Sequence, residues 1–274
     1  MKLGAVVILY NPDEELKYNI NSYLSKVELL LVLDNSGSDK AKALFEGNPK
    51  IQYYWDGENR GISYRLNQAL KICREKNIIY LLTMDQDSSF DPTMLDKYLH
   101  QIEKCPVLEN VGMFGINLDK NDKNDYYDEL FITSGSIINV DLAQQIGDFD
   151  EKLFIDEVDN EFCLRLILNK YSTLKFGNIT MNHQFGSTRK VLTPSLRYKE
   201  RVIYSPLRNY YNTRNYFYIN KLYKHDYKQK KDRKTMLLYR IKNSLLYENT
   251  FATIYYILKG FKDYVFMNMG KIQQ

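Results

Sequence analysis

Residues 77–90 read NIIYLLTMDQDSSF, an unbroken apolar run that ends in two carboxylates, Asp85 and Asp87. A run this short without polar alternation predicts a β-strand covered on both faces. Working outward, LGAVVIL (3–9), ELLLVLD (28–34) and IQYYW (51–55) have the same character. Asn11-Pro12-Asp13 reads as a turn with a helix start behind it. The segment ISYRLNQALKICREK (62–76) places Ile62, Leu66, Ala69, Leu70 and Cys73 at helical spacing. Apolar strands alternating with helices predict an α/β chain with a mostly parallel sheet flanked by helices. Ligands of such sheets bind beyond the carboxyl ends of the strands, where Asn11, Asp34 and Asp85 fall. In a tight loop, Asp85 and Asp87 can converge on a hard cation such as Mg²⁺ or Mn²⁺, which favours oxygen ligands and bridges to substrate phosphates. A solvated acidic turn fits the same spacing.

From about Val111 the strands become shorter, with glycine-rich joints in GMFGIN and FITSGSIINV. Asp141 is expected to cap a short helix ending at Gly147, and a further helix is expected from Val158 to Asn169. Strands are expected near Ser172–Lys175 and Ile179–His183, and beyond Arg189 the chain is expected to be mostly helical. The 274 residues suffice for a full core. No run approaches the length of a membrane span, and the N-terminal apolar run lacks the shape of a secretory leader; the reading is a cytoplasmic chain. Cys73, Cys105 and Cys163 lie apart without a CxxC pair, which argues against a disulfide framework and a zinc site. Residues 1–185 carry 19 basic and 29 acidic groups, a balance of −10, whereas 186–274 carry 19 basic and 5 acidic, a balance of +14. The acidic part suits a metal, the basic part phosphates or an anionic membrane face; a solvated basic tail is the plainer alternative.

The order of ILYNP, VLDNSGSD, NRGISYRLNQAL, MDQDS, TSGSIINVDLAQQIGDFDE, LFIDEVDNEFCLRL and NHQFG resembles the family 2 glycosyltransferases, and within them the bacterial rhamnosyltransferases. The match spans most of residues 3–186, and RNYYNTRNYFYI further on resembles the same subgroup. The resemblance implies a GT-A fold, Rossmann-like, with a catalytic domain over 1–186 and a helical, basic C-terminal region over 187–274. Residues 1–110 would form the nucleotide-binding half and 111–186 the acceptor half. It implies that Asn11 and Asp34 face the nucleoside, and that Asn59, Arg60 and Gly61 lie along the nucleotide with Arg60 near phosphate. Asp85 would contact ribose or metal, with Gln86 beside it. Asp87 would ligate the metal, and His183 would complete its shell. Aligned on CLR, Asp159 stands opposite the family's catalytic base and Glu161 opposite a second acid. The usual acid before the base is Val158 here; Asp156 and Glu157 stand near enough in sequence to compensate, and equally fit an acid-rich helix start.

The remaining candidates are broader. Ser134 and Gly135 allow close backbone approach to a sugar, or only relieve crowding between strands. Arg208 and Arg214 could bind the diphosphate or an acceptor lipid phosphate, or line a solvated helix face. The aromatic, lysine-interspersed segment after KHDYKQKKDRK suits helices lying in the inner membrane surface, peripheral on its cytoplasmic face, and equally a homodimer contact. No nucleic-acid-binding motif is present. The implied reaction is transfer of L-rhamnose from dTDP-rhamnose to a hydroxyl of a lipid-linked or growing glycan in bacterial surface polysaccharide assembly. A UDP-sugar donor (galactofuranose, galactose or glucose) is the closest alternative, and an inactive scaffold of the same fold a remote one. A nucleotidyltransferase would need a glycine-rich basic loop after the first strand, which ILYNPDEEL lacks.

Overall fold

The computed structural model describes residues 1–117, 123–183, 188–193, 196–223 and 229–273. It divides into two compact units, one of Met1–Glu151 with Val158–His183, the other of Lys152–Glu157 with Gln184–Gln274.

In the first unit, β1 (Leu3–Leu9), β2 (Leu29–Asp34), β3 (Ile51–Trp55) and β4 (Tyr80–Asp85) are the apolar runs of the sequence. They join β5 (Val111–Ile116), β6 (Tyr126–Tyr127), β7 (Ser136–Asn139) and β8 (Ser172–Phe176) in one sheet of order β3-β2-β1-β4-β7-β5-β8-β6 among the described residues. β1 to β4 pair in parallel; β7 runs antiparallel to both its neighbours, and β6 antiparallel to β8. Helices α1 (Leu16–Leu24), α2 (Ile62–Glu75), α3 (Pro92–Glu103), α4 (Val140–Ile146) and α5 (Val158–Leu168) complete the unit. Buried side chains of β1, β2, β4 and β5 form the core with Leu16, Ile20, Leu95 and Tyr98 from the helices. The parallel register sets Leu9 beside Asp34, Asp34 beside Trp55 and Ile8 beside Asp85, so four strand ends finish at one edge.

Local chemistry sets the helix starts and stops. Pro92 opens α3, where its missing N–H costs nothing, and the Asp91 carboxylate accepts from the Thr93 N–H at 2.9 Å. α4 ends at Gly147, left-handed at φ 92° as expected, but its cap is Asn139, not Asp141. The Asn139 side chain accepts from the N–H groups of Asp141 and Leu142, and Asp141 sits in the first turn. The strand expected over Ile179–His183 is reduced to one bridge, Asn182 with Ser89.

The second unit opens with a hairpin before the expected helices, β9 (Thr188–Leu192) antiparallel to β10 (Tyr198–Val202). It continues as α6 (Pro206–Leu222), α7 (Lys230–Tyr247) and α8 (Thr250–Val265). α6 is buried over most of its surface, polar Asn209, Asn212, Thr213, Arg214 and Asn215 included. A side chain at Gly260 of α8 would meet the Tyr210 carbonyl oxygen at 2.5 Å, so glycine permits α6 and α8 to touch backbone to backbone. The segment 152–157 is tied into this unit. Asp156 and Glu157 both have φ 65°, a conformation non-glycine residues keep only when held. Arg208 grips Asp156 at 2.6 and 2.9 Å, Arg233 grips Glu157 at 2.9 and 2.6 Å, and Asn215 Nδ2 donates to the carbonyls of Ile155 and Asp156. No helix among the described residues is long and apolar enough to cross a membrane.

Candidate active site

The loop leaving β4 carries the chemistry. Asp85, Asp87 and His183 offer ligand atoms that all lie within 4.8 Å of one another, the carboxylates exposed and the imidazole half-buried. His183 reaches the loop through the two hydrogen bonds between Ser89 and Asn182, at 3.0 and 2.9 Å. Its Nδ1 lies 2.8 Å from Ser88 Oγ and 3.7 Å from Asp87 Oδ1. Ser88 Oγ faces Asp87 Oδ1 at 3.3 Å and accepts from the Ser134 hydroxyl at 3.0 Å. The Ser88 hydroxyl fixes the orientation of the ring, and in the neutral imidazole one ring nitrogen keeps a lone pair for a cation. Burial lowers the His183 pKa below its usual value, against the opposing charge of Asp87; the neutral imidazole that a cation requires is thereby favoured. Two hard carboxylates and an imidazole suit a divalent ion, so the residues fit the cofactor that the motif implies.

The loop is held from three sides. Ser134, buried, accepts from the Asp85 N–H at 3.0 Å. Gly135 has φ 77°, donates to the Thr83 carbonyl at 2.8 Å, and would place any Cβ 2.7 Å from Met181 Sδ. Gln86 clamps the loop to the end of β1: its Oε1 accepts from the Tyr10 N–H at 2.8 Å and its backbone carbonyl accepts from Asn19 Nδ2 at 3.0 Å. Asn11 lies exposed beyond β1 at φ 47°, its N–H donating to Ser36 Oγ at 2.7 Å.

At the end of β2, Asp34 is fully buried. Its Oδ1 accepts from the Ser36 N–H and its Oδ2 from the Tyr53 hydroxyl, both at 2.7 Å. Burial, with the hydrogen bond to Asp34, pushes the Tyr53 phenol well above its usual pKa. Beside it, Trp55 donates its indole N–H to the Ser36 carbonyl at 2.9 Å and leaves 39 % of its surface exposed. Asn59, Arg60 and Gly61 form the loop entering α2. The Asn59 side chain accepts from the Gly61 N–H, and Arg60, exposed, pairs with Asp56 and Glu58 and lies over Tyr64.

The residue that organises this loop went unnoticed in the sequence. Arg65, buried in α2, donates to Asn35 Oδ1 at 2.9 Å, the Asp34 carbonyl at 3.0 Å, Asp56 Oδ1 at 2.8 Å, the Glu58 carbonyl at 3.2 Å and Gln68 Oε1 at 2.9 Å. Asn35 completes the tie by accepting from the Arg60 N–H and donating to the Gly61 carbonyl. Arg65 stands beside Leu66 and one turn from Ala69, a lone charge within the buried stripe of α2; that position was the available signal.

Asp159 lies in the first turn of α5, half-buried, its Oδ1 accepting from the Asn160 N–H at 2.8 Å. Glu161 is buried and bound at both oxygens by Arg165, at 2.8 and 2.9 Å. In the other unit, Asp156 and Arg208 bind each other as described. Arg214 is fully buried and donates to the carbonyls of Asn268 and Gly270, so in this structure it pins the chain's end rather than facing an external phosphate. The structure thus gathers Asp85, Gln86, Asp87, Ser134 and His183 in one network and Asp34, Asn59, Arg60 and Gly61 in another. Gln184–Gly186 of the HQFG motif lie outside the described residues.

The sequence model described as Glycosyl transferase family 2 matches residues 5–155. The dTDP-rhamnosyl transferase RfbF of Shigella flexneri is 27 % identical over 241 residues, covering 78 % of each chain. The crystal structure of S. aureus TarS 1–349 superposes with a TM-score of 0.54 at 16 % identity, covering 90 % of this chain and 72 % of that one. A further S. aureus TarS structure gives 0.55 at 15 %, covering 91 % and 44 %. At such identities these structures speak to the fold, and the sheet with its helical C-terminal region is of the GT-A type.

Proposed function

The chain belongs to glycosyl transferase family 2, and from that premise we propose that it moves L-rhamnose from dTDP-rhamnose, with inversion, to a hydroxyl of a lipid-linked or growing saccharide. The Asp85–Asp87–His183 cluster at the carboxyl edge of the sheet carries the donor half of this reading, since a sugar nucleotide presents its diphosphate where a cation can be shared. The choice of rhamnose rests on the relative's name together with the motif order. Assembly of a surface polysaccharide at the cytoplasmic face of the cell membrane is the setting in which such an acceptor is met.

In the proposed reaction the Asp159 carboxylate takes the proton of the acceptor hydroxyl as its oxygen bonds to C1 of the sugar. The C1–O bond to the diphosphate breaks, and dTDP leaves with the electron pair. A divalent ion, Mn²⁺ or Mg²⁺, held by Asp85, Asp87 and His183 would offset the charge on that diphosphate. Asn11 and the Asn59–Gly61 loop would seat the nucleoside and phosphates, Asp34 would join them where the Tyr53 hydroxyl gives up its Oδ2, and Ser134 and Gln86 would hold the loop that carries both carboxylates. Asp156 and Glu157 are engaged by arginines, and the alignment on CLR is what assigns the base role to Asp159.

Calorimetric titration with dTDP-, UDP- and GDP-sugars, with and without Mn²⁺, tests the reading. dTDP-rhamnose is expected to bind only with the metal and more tightly than the others. Preference for a UDP-sugar would keep the enzyme class and discard rhamnose; no binding of any donor by folded protein would sink the proposal.

A further inference from the structure

We propose that the outward face of α8, with the basic hollow beside it, docks this chain onto an anionic phospholipid bilayer. The inference deepens the functional reading by naming the surface that meets the membrane, and rests on it only for where the acceptor is found. Phe251, Ile254, Tyr255, Leu258, Phe261 and Val265 recur at helical spacing and are all exposed, Phe251 at 86 % and Leu258 at 64 %. The opposite face is fixed: Thr253 and Gly260 are buried, and Gly260 abuts the Tyr210 backbone. The stripe therefore faces outward on a helix that packing holds in place. An apolar, aromatic stripe on a helix fixed in this way is the form of an interfacial helix, which lies in the headgroup boundary; a folded monomer rarely leaves such a patch in water.

Charge favours lipid over a second copy of the chain. Beside the stripe is a hollow of about 530 Å³ lined by Tyr210, Tyr255 and Leu258 together with Lys259, Lys262 and Lys271. The acid in its wall, Asp263, accepts from the Tyr210 hydroxyl at 2.8 Å and from Asn268 Nδ2 at 3.3 Å, so its oxygens are directed to those groups. Three ammonium groups around a hollow at the edge of an apolar stripe match the phosphate layer just above the acyl chains. Two identical copies facing each other here would set lysines against lysines. The balance of 19 basic to 5 acidic residues over 186–274 extends the same preference.

Co-sedimentation of the full chain with vesicles of phosphatidylcholine alone, or of phosphatidylcholine with phosphatidylglycerol, tests this. The wild type is expected to prefer the anionic vesicles and to lose that preference as salt rises. The triple change Lys259→Ala, Lys262→Ala, Lys271→Ala is expected to weaken binding to anionic vesicles by about a hundredfold. Leu258→Asp with Phe261→Asp is expected to weaken it at least about tenfold. Donor binding measured in solution reports whether each variant is folded, and separates failure of docking from failure of the enzymatic reading. The wild-type comparison of the two vesicle types needs no variant. Equal affinity for neutral and anionic vesicles, or none for either, would overturn the proposal. So would light scattering that shows a dimer which Leu258→Asp dissociates while vesicle binding is unchanged.

Discussion

Asp159→Asn is expected to lower kcat by about 10²–10⁴-fold, the range a positioned general base contributes, while leaving donor affinity within a few-fold of wild type. The amide keeps the side chain's shape, and its oxygen can still accept from the Asn160 N–H as Oδ1 does now. What it loses is the capacity to take the acceptor's proton. The effect should therefore fall on turnover, read as release of dTDP in the presence of acceptor, and not on calorimetric binding of the donor. The control is Asp156→Asn. Its carboxylate is paired with Arg208 and its backbone is held at φ 65°, so the change should cost folding stability more than the chemical step. Near-normal turnover by the Asp159 variant, with Asp156→Asn the inactive one, would move the base to position 156.

Arg65→Leu is expected to destabilise the chain by about 3–5 kcal/mol, since five acceptors lose a hydrogen bond worth about 1 kcal/mol each. The loss would take a donor from the carbonyls of Asp34 and Glu58, and would leave Asn35 Oδ1 with the Arg60 N–H alone and Asp56 Oδ1 with the Glu58 N–H. Arg65→Lys should recover little of it. An ammonium has three donors, whereas the guanidinium serves five acceptors in fixed directions. The urea midpoint measures the effect, and a loss under about 1 kcal/mol would mean that the acceptors find water once Arg65 is gone. Because Arg65 binds the Asp34 carbonyl and Asn35, a surviving variant should also bind dTDP more weakly.

The parts of the fold that were legible are those with a local, periodic signature. β1 to β4 are apolar runs, and their parallel pairing follows from connections that cross back over the sheet, α1 and α2 among them; that pairing brings Asp34 and Asp85 to one edge. The Asp85–Asp87 spacing and the acid-rich start of α5 were equally visible. What escaped was nonlocal or chemically plain. Ser88 carries no signal by residue type, and the sequence offers Ser134 only as a point of close approach to a sugar, yet the two link Asp85, Asp87 and His183 across 46 to 95 positions of sequence. Asp156 and Glu157 looked like free acids at a helix start; their arginines lie 52 and 76 positions further on. The hairpin of β9 and β10 is mostly exposed, so no apolar alternation marked it. The cap of α4 moved from Asp141 to Asn139 because the strand runs directly into the helix, without the loop that cap rules assume.

The most direct test of the account is electron paramagnetic resonance of Mn²⁺ titrated into the protein with dTDP present, for wild type and for Asp87→Ala. One Mn²⁺ is expected to be sequestered per wild-type chain, with dTDP strengthening the binding, and the site is expected to be lost when Asp87 is removed. Free Mn²⁺ throughout, with dTDP bound equally by both proteins, would contradict the reading of Asp85, Asp87 and His183 as the centre that receives the donor's diphosphate.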